Sequence, residues 1–291
     1  MNFKKVLLMS AFAVVAAVNI GCVGTTDEYI SREDLDWYNY SDYDYDRAPE
    51  TKYTTTQAST QATTQATTQK PTQAVVETAP VDTRVPNYKS TSTETTTVKY
   101  TWKNYQGTAT RSMSMDYFTE MYNYYASLDR YYEPSEYKYY INDEINAKIC
   151  KIIAESIYDF AISKGETEFD AIMELASFVQ SLEYMSDVNS KGQSIEYPKY
   201  PIETLMEGGG DCEDTTILLI TMLNELGYGT AVIEYDTHVM VGIKGGDNVT
   251  GSYYKKDGVC YFVLETTGEG WKLGELPDSR KGQSAYVHVT R

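Results

Sequence analysis

Gly208-Gly209-Gly210-Asp211-Cys212-Glu213-Asp214, running on through Thr215-Thr216-Ile217-Leu218-Leu219-Ile220-Thr221-Met222-Leu223-Asn224-Glu225-Leu226 to Gly227, is the stretch on which the fold turns. The three glycines free the backbone for a tight approach. Asp211 then suits the N-cap of a helix, and Asp214, three residues on, is its capping-box partner. From Ile217 to Leu223 the segment is apolar nearly all round, which predicts a helix buried at the centre of the domain and stopped by Gly227. Cys212 falls at the first helical position, where unpaired N–H groups and the helix dipole favour a thiolate. A thiol at the tip of a rigid core element is held as a nucleophile has to be. A phosphate loop is the other reading of the glycines. The acidic neighbours and the lack of a following Lys-Ser or Lys-Thr argue against it.

Upstream, apolar residues at Ile145, Ile149, Ile152, Ile153, Ile157 and Phe160 predict a helix over residues 142–163, ended by Gly165. A second helix is predicted from about Thr167 to Leu182 on the spacing of Phe169, Ile172, Leu175, Ala176, Val179 and Leu182. The Tyr-rich segment 115–140 reads as irregular with short helices, and residues 186–200 as a polar loop. Strands are predicted at the Val98–Trp102 run and, downstream of the central helix, near 230–235, 238–243, 259–265 and 285–289. Helices first and strands later make the class α+β with an antiparallel sheet. A nucleophilic cysteine needs a base, and the chain holds 2 histidines. His288, three residues from the end, reads as exposed, which leaves His238 at the start of its strand. An antiparallel return of 259–265 would set Glu265 opposite His238, where it can orient the imidazole.

With those residues in place, a resemblance can be stated. Gly210-Asp211-Cys212-Glu213-Asp214, preceded by Tyr197–Leu205, resembles the transglutaminase-like superfamily, and within it the prokaryotic branch of cysteine proteases. Phe178–Tyr184, His238 and Leu264-Glu265-Thr266-Thr267 follow in the expected order, so the likeness spans roughly residues 97–280. It implies a papain-like core, with the Cys helix packed on an antiparallel sheet, and a triad of Cys212, His238 and Glu265, the last where the family more often carries Asp. The chemistry implied is acyl transfer at peptide or amide bonds through a thioester. The outcome is hydrolysis or transfer to an amine. The Cys212 N–H and a second donor would meet the oxyanion. Gln180 is the candidate for that donor, or else a side chain bridging core backbone. The alternative function is a binding or scaffolding module that keeps this fold without turnover.

The chain's 291 residues and net charge of −17 are unevenly shared. Residues 1–22 carry +2, residues 23–97 carry −6 and residues 98–291 carry −13. Lys4 and Lys5 before the apolar run Val6–Val18 read as an export signal, too short to span a bilayer. Asn19-Ile20-Gly21-Cys22 resembles a lipoprotein processing site, with Asn19 where that motif usually carries Leu. Acylation at Cys22 would anchor the chain outside the cell membrane; cleavage nearby would secrete it. Residues 23–97, acidic at first and then repeating Ala-Thr-Thr-Gln units, read as a disordered tether without a face to bury. Residues 98–291 form the one compact domain. An acidic domain repels phosphates, which excludes sequence-independent nucleic-acid binding and favours basic or neutral polypeptides or amine-bearing wall peptides. Two histidines, and no HExxH or CxxC, leave no imidazole-rich metal centre, so neither a metal nor a cofactor is expected. Cys150 and Cys260 read as core thiols or, in an exported chain, as a pair. Asn39 and Asn248 fit the N-glycosylation pattern. The sequence leaves the oligomeric state open.

Overall fold

The computed structural model describes residues 92–188, 195–246 and 249–291, together with the backbone of Asn19–Cys22, Lys52–Thr54 and Thr56–Gln57. The rest of the expected signal and tether, with Asn39 and Asn248, lies outside the described residues. Among the described residues no helix is long and apolar enough to cross a membrane.

The domain opens with a hairpin, β1 (Thr95–Lys103) and β2 (Thr110–Phe118), and so begins three residues before the expected boundary. The second strand corrects the irregular reading at 115–118. Arg111, Met113, Met115 and Tyr117 are buried and alternate with half-buried neighbours. Its period of two was masked by Ser and Met, which carry weak strand propensity. The helices α1 (Thr119–Ala126) and α2 (Lys138–Ile141) follow. Next comes α3 (Glu144–Ser163), whose N-cap Asp143 accepts the Asn146 N–H at 2.9 Å. In α4 (Glu168–Gln180) Thr167 and Asp170 form a reciprocal capping box, and the helix stops two residues short of Leu182.

A two-residue strand, β3 (Glu183–Tyr184), precedes the helix α5 (Pro201–Glu207), which begins just after the expected loop with proline in its first turn. The short β4 (Gly209–Gly210) then leads into α6 (Cys212–Glu225), buried along nearly its whole length. The strands β5 (Thr230–Tyr235), β6 (His238–Gly245), β7 (Ser252–Lys256), β8 (Val259–Leu264) and β9 (Ser284–Val289) complete the chain.

These last five strands form one antiparallel sheet in the order β9-β5-β6-β8-β7. Val239, Val241, Ile243, Leu264 and Val232 turn one face toward α6, against which α3 and α4 also pack, and join the larger core. The other face curls round a second core of Ile233, Tyr235, Met240, Tyr254, Tyr261, Val263 and Val287. A sheet buried on both faces explains why β5, β6 and β8 read as continuous apolar runs instead of alternating ones.

β7 lies between the strands expected near 238–243 and 259–265, where no strand was predicted; Tyr254 is its buried anchor. His288, expected to be exposed, is 9% accessible, and its Nε2 lies 2.6 Å from Glu234 on the neighbouring strand. Adjacency of β9 to β5 buries what terminal position suggested would be open. Cys150 and Cys260 are both free thiols, with Cys150 in the larger core and Cys260 half-buried on β8.

Candidate active site

The polypeptide reaches Cys212 through three glycines that serve different ends. Gly208 closes α5 at φ +73°, a left-handed conformation that suits glycine. A Cβ on Gly209 would lie 2.4 Å from the Glu183 carbonyl oxygen, across the parallel β3–β4 pairing, and one on Gly210 would lie 2.5 Å from Asp214 Cβ. The first turn of α6 is then pinned by Asp214, which is fully buried. Its carboxylate accepts the Asp211 N–H at 3.3 Å and the Lys199 N–H at 2.7 Å, and lies 2.9 Å from the buried Lys199 ammonium. Burial pushes the Asp214 pKa up to about 7, although Lys199 pulls the other way.

His238 leaves a two-residue turn, Asp236-Thr237, that pairs Tyr235 with His238. A hairpin so closed aims the next residue's N–H away from β5, toward the side of β6 that β8 has left by Leu264. The Val239 N–H is therefore free to reach the Cys212 sulfur, and does so. His238 Nε2 lies 2.8 Å from Glu265 Oε2. The pairing is diagonal, not opposite as expected: Leu264 pairs with Val241, so Glu265 sits two residues out of register and its side chain closes the gap.

The other oxygen of Glu265 accepts the N–H groups of Thr266 and Thr267 at 2.9 and 2.8 Å, and the Thr267 hydroxyl at 2.6 Å. Burial raises the Glu265 pKa, but His238 and the Thr267 donors outweigh it and hold the carboxyl at about 2. Thr266 in turn shares a 2.8 Å hydrogen bond with Thr215 of α6, tying the acid's loop to the helix of the thiol.

Of the two roles open to Gln180 the structure shows the backbone bridge, and the expected state of the thiol is corrected. Gln180 is not available to an oxyanion. Its Nε2 donates to the carbonyls of Glu265 at 2.8 Å and Trp271 at 3.0 Å, and its Oε1 accepts the Gly270 N–H at 3.2 Å. Both amide protons are spent bracing the loop that carries the acid. The Cys212 thiol is also not held as a thiolate. Burial and the Glu213 carboxylate push its pKa well up, and the Val239 N–H offsets them only in part. The thiol donates to Glu213 Oε2 at 3.1 Å, and among the described residues no hydrogen bond joins it to His238. A helix terminus contributes a fraction of a unit charge, and a whole carboxylate next door overrides it.

That carboxylate belongs to a cluster invisible in the histidine count. Ligand atoms of Asp187, Asp211 and Glu213 lie within 4.8 Å of one another beside the thiol. Burial raises all three carboxyl pKa values, and Asp187 Oδ2 and Asp211 Oδ1 are buried without a hydrogen-bond partner. An all-oxygen set with orphaned acceptors is suited to a hard cation. The composition argument against a metal concerned imidazole sites and does not reach this one. Three acids flanking one cysteine across a loop were the available signal, but only folding brings Asp187 to the other two.

No protein-family profile and no curated protein matches the sequence. Among solved structures, the calcium-bound form of LapG from Legionella pneumophila is similar at 19% identity and a TM-score of 0.31, covering 48% of this chain and 81% of its own. The EGTA-treated form gives 19% identity and a TM-score of 0.32 over 48% and 78%. A protein described as a candidate cysteine protease from Cytophaga hutchinsonii gives 14% and 0.29 over 71% and 82%. TM-scores this low leave the site to be judged on its own geometry.

Proposed function

We propose that the chain is a cysteine-dependent acyl-transfer enzyme acting on peptide or amide bonds, with Cys212 as nucleophile, His238 as base and Glu265 as the acid that orients it. The observation that carries this reading is the 2.8 Å His238–Glu265 pair, set at the tip of a buried helix whose first residue is a cysteine. With Nε2–H donated to Glu265, Nδ1 of His238 is the nitrogen that takes the thiol proton. The sulfur then attacks the carbonyl carbon to form a tetrahedral oxyanion; that intermediate collapses to a thioester as the protonated imidazole returns its proton to the leaving amine. Water or an amine resolves the thioester, and regenerates the thiol. The Cys212 N–H is the proposed oxyanion donor.

The carboxylate cluster fits a divalent cation such as calcium, the ion borne by one LapG form. Asp187, Asp211 and Glu213 would hold it. Its charge would offset the carboxylates that keep the thiol protonated.

The test is acetylation of Cys212 by p-nitrophenyl acetate, followed by intact mass. A mass gain that disappears in Cys212→Ala and slows roughly a hundredfold or more in His238→Ala is expected. Equal rates with and without the imidazole would sink the enzyme reading. A second reading, a non-catalytic binding module, is favoured by the protonated thiol bonded to Glu213. It requires His238→Ala to leave acetylation unchanged.

Export, and anchoring through acylated Cys22, complete the proposal. The acidic domain then faces basic or neutral polypeptides or amine-bearing wall peptides.

A further inference from the structure

The five-strand sheet is curled so far that its two edges face each other. From β7, Tyr254 Oη donates to the Gln283 carbonyl at 2.9 Å and Lys256 Nζ to the Val287 carbonyl at 2.9 Å, so side chains of one edge reach the main chain of the other. The strands could not simply zip together. In an antiparallel sheet of five, the first and last strands run the same way, and closing it directly would demand a parallel ladder. A sixth strand running the opposite way satisfies both edges with antiparallel ladders and removes the exposed rows of N–H and C=O groups.

Lys52–Thr54 and Thr56–Gln57 take this place. Lys52–Thr54 pairs antiparallel with β9, setting Thr54 against Ser284 and Lys52 against Tyr286. One residue later, Thr56–Gln57 pairs antiparallel with the opposite edge, setting Thr56 against Tyr253 and Gln57 against Ser252. The local sequence Thr51-Lys52-Tyr53-Thr54-Thr55-Thr56-Gln57 suits an inserted strand, being rich in β-branched and aromatic residues without glycine or proline.

We infer that the edge-to-edge slot between β7 and β9 is a docking site for an extended polypeptide strand, and that its occupant is Lys52–Gln57 of this chain, a strap that closes the sheet into a six-stranded barrel. The strap enters at a defined place. Tyr286 pairs with Glu234, so Ser284 and its partner Thr54 are level with the Asp236-Thr237 turn that presents His238. The N-terminal segment is thereby fastened to the end of the barrel that bears the base, in addition to the antiparallel pairing of Asn19–Cys22 with β2.

Cysteines placed at an antiparallel pair meet the geometry of a disulfide. In the full exported chain, Thr54→Cys/Ser284→Cys should cross-link under mild oxidation roughly tenfold or more faster than Thr63→Cys/Ser284→Cys, whose thiol lies nine residues further along the tether. Peptide mapping identifies the linked pair. Equal rates would overturn the strap. Hydrogen exchange on the unaltered chain is the independent measurement. Amides of 52–57 should exchange roughly tenfold or more slowly than those of residues 60–90, and equal exchange would likewise overturn it.

Discussion

At the scale of single residues, the site is decided by who neighbours the sulfur. Cys212 is legible as a nucleophile from its place after three glycines and before an apolar helix. Its protonation is not legible, because it depends on the carboxylates that folding gathers round it. Two outcomes follow. Iodoacetamide should label Cys212 slowly in EGTA and several-fold faster with millimolar calcium, read by mass of the labelled peptide. Glu213→Gln removes the nearest charge, so it should raise the rate without calcium and blunt the calcium response. Labelling indifferent to both would detach the cluster from the thiol. Glu265→Gln keeps the shape but places an amide where His238 Nε2–H needs an acceptor. Acetylation of Cys212 should fall by on the order of a hundredfold or more while the fold is retained, as checked by circular dichroism.

Among elements, what matters is how the helix tip, the hairpin and the acid loop are held in common register. Gln180 was legible as a polar residue in an apolar helix beside the site, but its partners were not. Its three hydrogen bonds all go to backbone of 265–271, a loop with no periodicity to read. Gln180→Ala should therefore lower acetylation together with the order of that loop, seen as faster amide exchange over 265–271. A role confined to the oxyanion would leave the exchange untouched. Lys199, unremarkable within a tyrosine-rich loop, is 4% exposed, and its ammonium lies 2.9 Å from Asp214. Lys199→Met strands that buried carboxylate and should cost about 3 to 5 kcal/mol of stability, measured by urea unfolding. Lys199→Arg should recover part of it.

For the whole molecule, the buried acids shape stability against pH in opposite directions. The Glu265 carboxyl is depressed to about 2 in the folded state. Its contribution, on the order of 3 kcal/mol, is full above the unfolded value near 4.5 and disappears as pH falls toward 2. Asp214 is raised to about 7, so its contribution is present at low pH and disappears as pH rises through 7. Urea unfolding should accordingly show a maximum at about pH 4, where folded Glu265 is ionised and folded Asp214 still holds its proton, then a decline toward about pH 7, with the acid limb flattened in Glu265→Gln. A maximum above pH 8 would contradict these environments. The three long helices, the burial of the central one, the α+β class, and the cysteine, histidine and acid that meet at one end of the sheet were all legible in the sequence. Those features are written in local periodicity and capping, which act over a few residues. Only the tertiary structure decided the curl of the sheet, the burial of His288, the two-residue offset of Glu265, the duties of Gln180 and the carboxylates gathered round the thiol. Each depends on groups far apart in the chain meeting in a low-dielectric interior, where a single neighbour outweighs any local propensity.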